Sequence, residues 1–141
     1  MQLGIDTRLT LLAAGLIFLW SLVLGVWKFA QMSKSPDGLA HPYVDIAHRA
    51  ALLYSFATLL LSVFVELSGW PTVVNLIAVT IVVVFFVGAI VSYVVHGFLR
   101  DTDNQFRHPF ALLRPAMLAL IVGEIGGTTV LLAGFVKQQL L

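Results

Sequence analysis

Four long apolar runs separated by short polar stretches set the pattern of this chain. Read as helices, they cover residues 9–31, about 45–67, 71–99 and 115–136. An α-helix needs roughly 20 apolar residues to cross the hydrocarbon core of a bilayer, and each run is long enough alone. The third run is rich in Val and Ile (Val73, Val74, Ile77, Val79), residues that favour strands in water. It is nevertheless continuous rather than alternating, so it fits a spanning helix better than a barrel strand. Lipid offers the backbone no hydrogen-bond partner, and a helix satisfies its own N–H and C=O groups. The pattern predicts an all-α fold: one integral membrane four-helix bundle over residues 1–141.

The connections are short. Ser35-Pro36-Asp37-Gly38 reads as a turn in the first. In the second, Gly69 can end helix 2 in a left-handed cap, Trp70 suits the membrane interface, and Pro71 suits the first position of a helix. Helices 2 and 3 are therefore expected to form a tight antiparallel hairpin.

Composition sharpens this reading. Hydrophobic residues make up 60% of the chain, too much for a water-soluble protein of this size. The net charge of +1 leaves no basic face for nucleic acid. There is no cysteine, which excludes disulfides and thiolate metal sites. The first run lacks a small-residue cleavage site and is expected to stay in place as a helix. Lys28, Lys34, Arg49, Arg100, Arg107 and Arg114 flank the first and third loops, and only Arg8 and Lys137 lie opposite. That asymmetry predicts those loops on the cytoplasmic side and both termini on the non-cytoplasmic side, in a bacterial inner membrane.

Depth along the helices singles out candidate chemistry. With helix 2 beginning near Asp45, His48 lies ~5 Å inside it, while Tyr93 and His96 lie ~9 Å and ~5 Å before the end of helix 3. Tyr93 and His96 are three residues apart and share a helix face, so a pocket there could hold an imidazole and a phenol. Without cysteine, a His-ligated heme is the metal site such residues would serve, with His48 the better ligand. Interfacial histidines bonded to carbonyls or headgroups are the plain alternative. The remaining histidines are His41 and His108.

Ala47-His48 followed by small residues, a polar-capable residue six positions on, and a Tyr near the end of the next helix resemble the styrene oxide isomerase family and the related hydroxylaminobenzene mutases. Ser35 to Gly38 ahead of the His, Gly25-Val26-Trp27 late in helix 1, and the 45-residue separation of His48 and Tyr93 add to the resemblance, which covers nearly the whole chain. It implies heme b with His48 as axial ligand, Tyr93 as an active-site donor, and a homo-oligomer such as a trimer. Two positions depart from the family pattern: Tyr54 stands where the family has Asn, and Ala89 where a second Asn is expected. Tyr54 can still donate a hydrogen bond, or it can pack among the helices.

His48 and Tyr54 lie about 120° apart around helix 2 and do not face one pocket easily. A heme lodged between protomers would resolve this. Lys28, Arg49 and Arg100 sit where heme propionates would emerge, although snorkelling at the interface is their common role.

The resemblance implies an isomerase that opens a small hydrophobic epoxide to a carbonyl compound, iron acting as the Lewis acid. An aryl hydroxylamine rearrangement is the closest alternative. A heme protein for electron transfer or sensing, closed by His96 or Tyr54, is a second class. The third is a small multidrug-type transporter built on Glu124, near the middle of helix 4, although in such exporters the carboxylate lies in helix 1. Glu124 could equally be structural, bonded to Thr128 or a neighbouring helix. Gly123 and Gly127 form a small-xxx-small pair that lets another helix approach closely.

Overall fold

The computed structural model describes residues 2–107, 109 and 111–141. It contains four helices: α1 (Ile5–Met32), α2 (Pro42–Glu66), α3 (Thr72–Leu99) and α4 (Leu113–Gln139). Each is long and apolar enough to span a bilayer, and no strand occurs among the described residues. The chain is all-α and a membrane protein by its helices. Three of the helices outrun the apolar stretches that announced them. α1 starts earlier because Asp6, Thr7 and Thr10, polar in sequence, are buried in its first turns. α2 starts at Pro42, where Pro occupies the first helical position and the His41 side chain accepts a hydrogen bond from the Tyr43 N–H at 3.3 Å.

α1 and α2 pack through small residues, among them Ala14 and Ser21 on one helix and Ala47, Ala51, Ser55 and Thr58 on the other. Small side chains let the two backbones approach, which is how helices gain contact in a solvent as apolar as themselves. The hydroxyls in this seam are not stranded. Ser21 donates to the Phe18 carbonyl, Ser55 to Leu52 and Thr58 to Tyr54, each within its own helix. A second core of Leu61, Val65, Ala78, Val79, Val82, Phe86 and Leu131 joins α2, α3 and α4.

α4 is peripheral: it packs on α3 and α2, and among the described residues it does not touch α1. Its approach to α3 depends on glycine, since a Cβ on Gly127 would stand 2.6 Å from Val82 Cγ2 and 2.7 Å from the Ala78 carbonyl oxygen. Gly123 faces Phe85 and Ile81, whereas Gly126 faces nothing. The small-xxx-small pair thus serves packing within the chain. Large apolar side chains such as Leu16, Val26, Phe29, Val122 and Ile125 point outward, as a lipid-facing surface requires.

The α2–α3 connection is tight, but Gly69 does not cap α2 in the left-handed conformation; the described glycine with positive φ is Gly38, in the Ser35–Gly38 turn. Gly69 supplies space instead. Its N–H donates to the Gly134 carbonyl at 3.0 Å, and a Cβ there would meet the Gln138 side chain at 2.9 Å. Trp70 fastens the same corner, donating from Nε1 to the Val130 carbonyl at 2.8 Å beneath the Lys137 ammonium. Both chain ends and this hairpin share one end of the bundle.

Candidate functional site

His48 leaves α2 toward α1. Its Nδ1 lies 2.9 Å from the Ser21 carbonyl oxygen, and Gly25 of α1 faces the ring so closely that a Cβ there would stand 3.0 Å from His48 Cε1. A carbonyl oxygen only accepts, so Nδ1 carries the proton, and Nε2 of the neutral ring keeps its lone pair. A histidine that ligates a metal almost always donates its other ring N–H to a carbonyl or carboxylate, and His48 has that arrangement. The donor set fits a single axial imidazole. Among the described residues no group of three or more His, Cys, Asp or Glu side chains is placed to hold a metal ion.

Tyr93 packs from α3 against the core of Ile17, Leu24, Ala47, Ala51 and Ile90. It lines a cavity of about 280 Å³ between α3 and α4, with Ala89, Ser92, Gln105, Leu113 and Met117 among its walls. The small Ala89 contributes to the space. Loop 3 is pinned over this region: the Gln105 N–H donates to the Tyr43 hydroxyl at 2.8 Å, and the Ser92 hydroxyl reaches Gln105 Oε1 at 3.4 Å. Tyr43 also stacks on Tyr93, with ring centroids 6.0 Å apart, and meets His96 at a tilt, with centroids 5.1 Å apart. Tyr93 and His96 do share a face of α3, as their spacing predicts, but Tyr43 covers it. His96 turns to loop 3, with Nδ1 2.9 Å from Asp101 Oδ1. That hydrogen bond holds the Asp101 carboxyl below its usual range.

No family model, curated protein or solved structure matches this chain.

The other candidates fall into place around these two regions. Tyr54 stacks flat on Phe86, with ring centroids 4.2 Å apart and planes 9° from parallel, and does not line the Tyr93 cavity. Lys28 and Arg49 converge on one carboxylate, their nitrogens 2.5 Å and 2.9 Å from the two oxygens of Asp45. Arg100 ends α3 in the left-handed conformation at φ 53° and lines a polar groove along loop 1 with Lys34, His41 and Trp27. Glu124 does not make the hydrogen bond expected with Thr128: its Oε1 is buried without a partner. His108 lies outside the described residues. His48 is not among the residues that line the Tyr93 cavity. Ser21 and Gly25, which hold the imidazole, were not assigned that contact from the sequence, and Tyr43, which ties loop 3 to α3, was not singled out at all. Only the helical register of α1 against α2 brings the first two to the ring.

Proposed function

We propose that this chain is a heme b-dependent membrane isomerase that rearranges a small apolar epoxide to a carbonyl compound, with His48 as the axial ligand. The observation that carries the reading is the Nδ1 hydrogen bond to the Ser21 carbonyl, which fixes the tautomer and orientation a ligating imidazole needs. Iron held at Nε2 would supply a Lewis acid for the epoxide oxygen. The chain's own contribution is to hold, orient and keep dry. The Tyr93 hydroxyl, in a cavity whose walls are mainly apolar, donates a hydrogen bond to the substrate oxygen as charge gathers on it. The apolar walls exclude the water that would otherwise capture a cationic carbon. Among the described residues Arg100 makes no ion pair and can meet a propionate, whereas Lys28 and Arg49 already share Asp45.

Because His48 lies on the α1–α2 contact and Tyr93 on the α3–α4 side, the reading takes the cofactor to sit between protomers of a homo-oligomer such as a trimer. Tyr54, packed flat on Phe86, serves helix packing in this reading rather than donating a proton.

The test is an absorption spectrum of the detergent-purified protein beside His48→Ala. A Soret band in the parent that is lost in the variant is the expected result, followed by conversion of styrene-type epoxides to aldehydes. If neither protein takes up heme supplied during expression, the isomerase reading fails. The unpartnered Glu124 Oε1 then favours the transport reading.

A further inference from the structure

Loop 1 and the end of α3 enclose a groove of about 820 Å³, which the proposed reaction leaves unused apart from Arg100. It lies where α1 and α3 finish and α2 begins, at the end of the bundle opposite the chain termini. In a bilayer the ends of spanning helices stand at the headgroup layer.

The walls of this groove offer donors that lack an acceptor. Among the described residues neither Lys34 nor Arg100 makes an ion pair. The carbonyl ends of α1 and α3 favour cations at these positions, yet they do not satisfy a guanidinium with five N–H donors. His41 is a donor as well. Its Nδ1 accepts the Tyr43 N–H at 3.3 Å, so the neutral ring carries its proton on Nε2, which makes no hydrogen bond among the described residues. The carboxylate in the groove, Asp37, is turned to its own loop, accepting from the Ser35 hydroxyl and from the Leu39 N–H at 3.0 Å. Two cations outweigh it. The rest of the wall includes Trp27 and Leu39, and Phe98 and Leu99, next to Arg100, are exposed as lipid-facing side chains are.

We propose that this groove binds the phosphate of an anionic membrane lipid, with Lys34, Arg100 and the His41 Nε2–H as donors and Trp27 and Leu39 against the apolar part of the lipid. Arginine grips a phosphate through two parallel hydrogen bonds and lysine attracts it as a point charge. Basic pockets between spanning helices hold anionic headgroups in this way. A free phosphate would meet the same donors but leave Trp27 and Leu39 facing water, so the apolar wall favours the lipid. The inference does not rest on the heme reading, because Lys34 and His41 remain for the phosphate even where Arg100 meets a propionate.

Titrating the purified full chain in dodecyl maltoside with short-chain phosphatidylglycerol tests it, with the unfolding temperature followed by tryptophan fluorescence. A saturable rise in that temperature is expected, as for any ligand that binds the folded state alone. Phosphatidylcholine of the same chain length and inorganic phosphate at matching concentrations should give none. Lys34→Gln, an exposed change that leaves the core intact, should raise the half-saturating concentration about tenfold, the worth of one charge-assisted hydrogen bond. Arg8→Gln, at the opposite end of the bundle, should titrate like the parent. No saturable rise in the unaltered chain overturns the proposal, as does an equal response to phosphatidylcholine. An equal response to inorganic phosphate overturns it in favour of a free anion, and so does parental titration by folded Lys34→Gln and Arg100→Gln chains in favour of a site elsewhere.

Discussion

At the scale of single residues, the two sides of the proposed site ask different things of their neighbours. His48 depends on a backbone carbonyl and on the missing side chain of Gly25, whereas Tyr93 depends on a cavity. Tyr93→Phe keeps the ring that stacks on Tyr43 and deletes only the donor. Epoxide turnover is expected to fall about 100-fold, with the Soret band unchanged, because a donor aimed at developing charge acts on the rate and not on the cofactor. Spectra and initial rates on one preparation check it. His48 and Tyr93 were singled out in the sequence by their spacing and by the resemblance. The tyrosine that covers Tyr93 was not, because Tyr43 stood in what read as a loop before helix 2.

Elements explain that gap. Hydropathy reports where the lipid is, not where the helix ends. Asp6 and Thr7 add nothing to an apolar run, yet they continue α1 toward the α2–α3 hairpin, where Thr7 meets Glu66. The Pro42 start of α2 was readable from Pro at the first helical position, a signal outweighed by the polar residues around it. The hairpin between α2 and α3 was legible, but the use of Gly69 was not. A glycine next to a helix end reads as a left-handed cap, and only the position of α4 shows that this one makes room for Gln138. Glycine on α4 is more consequential. Leu at Gly127 would drive a side chain into Val82 and the Ala78 carbonyl, and overpacking of this kind costs about 1–3 kcal/mol. Gly127→Leu is expected to unfold at lower temperature in detergent, whereas Gly126→Leu, on the open face, should match the parent; thermal melts followed by tryptophan fluorescence decide it.

For the whole molecule, helix count and the antiparallel neighbours follow from the apolar runs and short loops, while the arrangement around the bundle axis does not. Helical periodicity is blurred when every helix is apolar on the face it shows to lipid as well as the face it shows to its neighbours. Nothing in the sequence of α4 says that it leans on α3 and α2 and leaves α1 uncovered. That omission gives the chain two unlike flanks, α1 on one and α4 on the other. In the proposed homo-oligomer, unlike flanks that complement each other would join head to tail, and such contacts close into a ring where the rotation between neighbours permits. A ring of this kind has genetics of its own. In a random equal mixture of His48→Ala and Tyr93→Phe chains, each inactive alone, about one junction in four would pair an intact histidine with an intact tyrosine from its neighbour. Co-expression should then restore about a quarter of the parent turnover, and a mixture that restores none would place both residues' work within a single chain.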